Sequence, residues 1–163
     1  MINTCIVATG GTFEKAYSLL DERMVLEGGS VIPELMEKTF LRDCDFVSLF
    51  QIDSLRMAKH HREALLEWIL SARYSRIVIV HGTSRMVETA RFLRSHVTNK
   101  VVVLTGALYP YRYSPSEAAS NLGGAVGVSR LLGFGTFVFM HGVVFEADRC
   151  RKDAETGLFE ADS

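Results

Sequence analysis

Arg76-Ile77-Val78-Ile79-Val80-His81-Gly82-Thr83-Ser84-Arg85-Met86-Val87-Glu88-Thr89-Ala90 is the stretch that decides the fold. Ile77–Val80 is an unbroken β-branched run, the pattern of a parallel strand covered on both faces. It stops at a glycine flanked by His81 and Thr83 and gives way to a helical spacing from Met86 to about Ser95. Thr83 therefore falls at the C-terminal mouth of a strand, where open α/β sheets place their ligands. The arrangement recurs at the start of the chain, where Thr4–Ala8 runs into Thr9-Gly10-Gly11-Thr12. A third strand-end turn, Leu104-Thr105-Gly106-Ala107-Leu108-Tyr109-Pro110, follows the apolar run Lys100–Leu104.

Outward from these turns, strands and helices alternate. Further strands are expected at Asp45–Phe50, Thr136–Met140 and, more briefly, Val143–Phe145. Helices are expected from Ser30 (a possible cap) to near Thr39, and over Met57–Ser71, Met86–Ser95 and Ser116–Leu132. Five continuous apolar strands between amphipathic helices predict an α/β fold: three layers, a doubly wound, mostly parallel sheet, and a single domain over residues 1–163. The connection Gly10–Ser30 is long for a compact domain and suits a lid, with Gly28-Gly29 as a hinge or a hairpin turn.

The 163 residues are 48% hydrophobic and 23% charged, with a net charge of −1. No basic stripe points to nucleic acid or a membrane surface as partner. The three cysteines, Cys5, Cys44 and Cys150, lack metal-ligand spacing. Free thiols and a cytoplasmic location are the simplest expectation, and no leader or membrane-spanning run is visible. No metal or organic cofactor is expected, and His60-His61 suits a solvated helix surface.

Each turn alone carries little. Thr9-Gly10-Gly11-Thr12 fits a tight turn with a capping threonine, and it matches neither a dinucleotide fingerprint nor a Walker loop. Ser84 could cap the helix that follows, with Glu88 four residues on. Tyr109, Tyr111 and Tyr113 suit a substrate wall or a subunit contact. Lys152 lies in the charged run Glu146–Asp153 and matters only if the fold brings that run back to the strand mouths.

Together the three turns, in order, resemble the bacterial-type L-asparaginases: their consensus TGGT, HGTDTMxETA and (V/L)xGAMRP is similar to Thr9–Thr12, His81–Ala90 and Leu104–Pro110. The resemblance extends from Asn3 to about Lys152 and covers the family's larger N-terminal domain only, so the chain looks like a short member. It implies amide hydrolysis with Thr12 as the nucleophile that forms an acyl-enzyme and Tyr17 as the lid tyrosine bonded to it. Thr83 is implied as the second threonine, helped by Lys152. Implied substrate-binding positions are Ser54, for an α-carboxylate, Ser84, and the turn residues Gly11, Gly82 and Ala107, whose neighbourhood supplies backbone N–H groups for an oxyanion. A hydroxyl needs such a base to act as a nucleophile at neutral pH. A homo-oligomer, dimer or tetramer, is also implied.

One departure affects specificity. The family's aspartate after the second threonine is Ser84 here, and its glutamine after the substrate-binding serine is Leu55. Losing an ion pair to a substrate ammonium costs on the order of 2–5 kcal/mol. The expected function is therefore hydrolysis of a small carboxamide, asparagine or a related amide, with altered recognition. The alternative is a catalytically degenerate protein that binds a small ligand in the same cleft.

Overall fold

The computed structural model describes residues 3–26 and 28–162. Its elements are β1 (Thr4–Gly10), β2 (Ala16–Ser18), β3 (Arg23–Val25), α1 (Ile32–Lys38), β4 (Asp45–Ile52), α2 (Lys59–Ser71) and β5 (Arg76–Val80). They continue with α3 (Met86–Arg94), β6 (Val101–Thr105), α4 (Ala118–Ser129), β7 (Gly135–Met140), β8 (Val143–Glu146), β9 (Cys150–Lys152) and β10 (Phe159–Ala161). The central sheet has the order β4-β1-β5-β6-β7-β8, with β8 antiparallel to β7 and the other pairs parallel. From β1 the chain moves out to the edge at β4, then crosses back to β5 on the other side. That reversal opens a crevice between the C-terminal ends of β1 and β5.

Alternate side chains of each strand enter two apolar layers. Cys5, Val7, Ile77, Ile79, Val102 and Leu104 pack against Leu65 and Ile69 of α2 and Met86, Ala90 and Leu93 of α3. Ile6, Ala8, Val78, Val80, Val101 and Val103 face Ile32 and Leu35 of α1 and Leu122, Ala125 and Val126 of α4. Each such fully buried valine, leucine, isoleucine or methionine side chain contributes ~1.5–3 kcal/mol. Packing therefore outweighs propensity in α4, whose Gly123, Gly124 and Gly127 each cost about 1 kcal/mol relative to alanine. Gly124 has a reason to stay: a Cβ there would strike the Phe139 ring.

The expected strands and helices are all present, with shifted ends. β1 and β4 each run two residues further than predicted. α2 starts at Lys59 rather than Met57, because Ser54–Arg56 forms a 3-10 turn that ends on an extended, buried Met57. The boundary residue of α1 is Val31, which makes no side-chain cap; Ser30, one residue earlier, accepts a hydrogen bond from the Ile32 N–H at 3.2 Å. Ser84 does not cap α3: it sits exposed inside the 3-10 turn Thr83–Arg85, and the boundary residue Arg85 makes no side-chain cap. The Gly10–Ser30 connection holds a hairpin, β2 paired with β3, whose turn falls before Arg23 and not at Gly28-Gly29. A second hairpin, β9–β10, was not anticipated.

Candidate functional site

Three glycine turns meet at the strand mouths because they lack Cβ atoms where it matters. A side chain on Gly11 would land on the backbone of Gly82, one on Gly82 would meet Ser54, and one on Gly106 would meet the His81 carbonyl and lie near the Thr83 methyl. Backbone hydrogen bonds tie the neighbouring segments at the same end of the sheet. The Gly11 N–H donates to Ile52 O at 3.0 Å, the His81 N–H to Thr105 O at 2.8 Å, and the Tyr111 N–H to Phe13 O at 3.0 Å. Thr9, by contrast, faces inward: its hydroxyl donates to Val80 O at 2.9 Å and ties β1 to β5. The Thr12, Ser54, Thr83 and Ala107 backbones are thus gathered at one end of the sheet.

Lys152 returns to this place. Its Nζ donates to Thr83 Oγ1 at 2.9 Å. The segment carrying it is held by Arg91 of α3, whose guanidinium donates to Cys150 O at 3.0 Å and Ala147 O at 3.4 Å and pairs with Asp162 at 3.0 Å. Partial burial pushes the Lys152 amine below the ordinary lysine value, because desolvation penalises the ammonium form. Among the described residues no carboxylate forms an ion pair with it, so nothing restores that charge.

Thr12 opens the 3-10 turn Thr12–Glu14 and is half-buried. Ser54 is 2% exposed beside Gly82, in a turn capped by Asp53, whose carboxylate accepts from the Leu55 N–H at 3.0 Å and pairs with Lys15 at 2.7 Å. Tyr17 lies on β2, is 58% exposed, and its hydroxyl makes no hydrogen bond to Thr12. The structure therefore joins Thr83 to Lys152, sets the Gly11-Thr12 turn and Ser54 against Gly82, and leaves Tyr17 and Ser84 exposed.

Three supporting residues were not foreseen. His81 is fully buried and neutral, its pKa pushed down to about 4 by desolvation. Its Nδ1 is 2.7 Å from Gly82 O, so that nitrogen carries the proton, and Nε2 faces Met57 Sδ at 3.0 Å. Asn121 of α4 donates to Gly106 O at 2.9 Å and accepts from the His141 N–H at 3.0 Å, stapling the third turn to the β7–β8 turn. The signal was an asparagine inside an apolar helical stripe. Glu14 is 2% exposed with neither carboxyl oxygen bonded. Among the described residues, no group of three or more histidine, cysteine or acidic side chains could hold a metal ion, and no helix is long and apolar enough to cross a membrane.

Residues 3–160 match the family model described as "Asparaginase, N-terminal". The chain belongs to the asparaginase family. It is 28% identical over 158 residues to the glutaminase-asparaginase of Acinetobacter glutaminasificans, a match covering 89% of this chain and 48% of that protein. Its fold is similar to the thermostable L-asparaginase from Thermococcus kodakarensis (TM-score 0.84, 22% identity, 97% of this chain and 50% of that one). It is also similar to a probable cytoplasmic L-asparaginase from Campylobacter jejuni (TM-score 0.79, 26% identity, 99% and 53%). The chain thus spans about half the length of the relatives it matches.

Proposed function

We propose that this chain hydrolyses a small carboxamide to the acid and ammonia through a threonine acyl-enzyme. The observation that carries the reading is the 2.9 Å contact between Lys152 Nζ and Thr83 Oγ1, with the amine's basicity reduced by burial. A neutral amine there accepts a proton, which a hydroxyl must shed to attack a carbonyl.

In this reading the Thr12 oxygen bonds to the amide carbon while its proton passes by way of Thr83 to Lys152. The C–N bond then breaks as the nitrogen takes that proton and leaves as ammonia. Water adds to the resulting ester, delivers its proton along the same route, and releases the acid and a free Thr12 hydroxyl. Backbone N–H groups of the glycine turns stabilise the oxyanion. A homodimer or larger assembly belongs to the same reading and is checked by sedimentation at dilute concentration.

The test is ammonia release from asparagine, glutamine and amides lacking an α-amino group, compared with Thr12→Ala. Turnover of at least one amide, abolished by the substitution, supports the proposal. Absence of turnover in every amide favours a ligand-binding protein. A second reading has its own observation: Thr83 is the hydroxyl that touches the base, so it could itself carry the acyl group. Peptide mapping of a trapped acyl-enzyme by mass spectrometry separates position 12 from position 83.

A further inference from the structure

We propose that Glu117 is a positioning residue of the site. With Asn121, it turns the backbone N–H and carbonyl of Ala107 toward the Thr83 side of the strand mouths, where they hold the reacting carboxamide. The proposal deepens the amide-hydrolysis reading and rests on it for the identity of the ligand.

Glu117 stands at the first boundary of α4, yet its side chain caps nothing in that helix. Ser116, one residue earlier, accepts from the Ala118 N–H at 3.1 Å instead. The Glu117 carboxylate reaches back to the third turn. Its Oε1 accepts from the Leu108 N–H, and its Oε2 accepts from the Tyr109 N–H at 3.3 Å. One carboxylate thus holds two consecutive backbone donors, and charge-assisted bonds of that kind are the strong ones. His141 Nε2 stands 3.8 Å from the same Oε1. Four residues on, Asn121 donates to the Gly106 carbonyl at 2.9 Å.

These contacts fix the direction of two peptide groups. A trans peptide points its N–H opposite to its carbonyl. The Gly106 carbonyl faces Asn121, so the Ala107 N–H points away from α4. The Leu108 N–H faces Glu117, so the Ala107 carbonyl points away from that carboxylate. Among the described residues, neither Ala107 group has a hydrogen-bond partner, although Ala107 is only 1% exposed. Buried backbone groups are nearly always paired. An unpaired donor and acceptor on one buried residue therefore mark a place for a ligand.

The side they face is the reacting side. α4 covers one face of the sheet, and α3, which Thr83 leads into, covers the other. The turn also lies against Thr83: a Cβ on Gly106 would stand 3.5 Å from the Thr83 methyl. A primary carboxamide accepts at oxygen and donates at nitrogen, which complements one N–H and one carbonyl. An ester of the same acid keeps the acceptor and lacks the donor.

The experiment compares the intact chain with Glu117→Ala and Glu117→Gln in two arms. In the first, acid release is measured from asparagine and butyramide and from their esters, β-methyl aspartate and methyl butyrate. Glu117→Ala should lower the amide-to-ester ratio of kcat/KM by about 10- to 100-fold, the cost of a displacement of about 1 Å, with kcat falling more than KM rises. Glu117→Gln keeps one acceptor oxygen and should give an intermediate ratio. A merely structural role would slow both substrate classes together and leave the ratio alone. In the second arm, NMR follows the Ala107 amide signal while butyrate is added as a product. Butyrate should shift that signal in the intact chain and leave it unmoved in Glu117→Ala. Folding is checked by circular dichroism, and if Glu117→Ala does not fold, Glu117→Gln carries both arms.

An amide-to-ester ratio unchanged by the substitutions, or an Ala107 signal indifferent to butyrate in the intact chain, overturns the proposal. If no amide is hydrolysed but butyrate moves the Ala107 signal in a manner that depends on Glu117, the positioning role stands and the hydrolase reading fails. If amides are hydrolysed at a ratio that ignores Glu117, the hydrolase reading stands and the positioning role fails.

Discussion

Gly11 and Gly82 pack backbone on backbone at the switch point of the sheet, so closely that a Cβ on Gly11 would fall on the Cα and N of Gly82. Gly11 also has φ of 84°, in the left-handed region. Gly11→Ala should therefore separate the Thr12 turn from the Thr83 turn. Strain at the left-handed position costs about 1–3 kcal/mol, and a displacement of about 1 Å costs on the order of 100-fold in rate. Gly28→Ala is the control, since Gly28 shares a φ of 83° but has nothing near its Cβ position. If both substitutions lower Tm and ammonia release equally, the close approach is irrelevant.

The Lys152–Thr83 pair makes a prediction with a definite sign in pH. The amine works as a base only when neutral, so activity should rise with pH through the Lys152 pKa, on a limb displaced below the ordinary lysine value of 10.5. Lys152→Arg keeps a cation beside Thr83 that stays protonated throughout that range. It should lose about 100- to 10,000-fold in kcat, the usual worth of a general base, and the alkaline limb should disappear. A variant that retains both rate and limb would remove lysine from the proton path.

His81 should remain neutral well below the range in which an exposed histidine titrates. Its lowering from 6.5 to about 4 means that the unfolded chain takes up a proton first as pH falls. The resulting stability is fully present above pH 6.5 and is lost as pH drops toward 4. Its size is on the order of 3 kcal/mol. Ring chemical shifts measured by NMR should show the Nδ1–H tautomer persisting toward pH 4, and an inflection near 6.5 at this residue would contradict the burial argument.

The fold was legible because the evidence for it is local. Ile77–Val80 and Val101–Leu104 are unbroken β-branched or apolar runs, and such runs between helical spacings have few other solutions. The three turns were legible for the same reason, as glycines at the ends of those runs. Lys152 was not legible from its own surroundings: Glu146–Asp153 has the composition of a solvated surface, and only the resemblance to a family singled it out. Its position depends on Arg91, 59 residues from Cys150 in sequence, and on a three-residue strand too short to show a period. Ser84 misled in the other direction. Its residue type favours a helix cap, but the 3-10 turn Thr83–Arg85 carries the chain past the position where a cap would act.

Ser84 also sets a test of recognition. Ser84→Asp adds a carboxylate next to Thr83, on a residue exposed enough to accept a charge without burying it. It should shift preference toward asparagine and away from amides lacking the α-ammonium. A newly formed charge pair in a binding site is worth on the order of 2 kcal/mol, or about 30-fold in the ratio of kcat/KM values. An unchanged ratio would mean that position 84 does not contact the substrate.

Glu14 sits two residues after Thr12 with its carboxyl group buried and both oxygens unbonded among the described residues. Burial raises its pKa, because desolvation penalises the carboxylate form. The folded protein therefore holds this proton more tightly than the unfolded chain does, and the sign is opposite to that of His81. Stability linked to Glu14 is greatest below the ordinary value of 4.5 and declines as pH rises toward the folded-state pKa. Glu14→Gln keeps the shape and removes the titration. It should raise Tm at neutral pH, by about 2–4 °C for each kcal/mol released, and the advantage should vanish as pH approaches 4. A Tm gain that is the same at pH 4 and pH 7 would show that packing, not the buried charge, sets the cost.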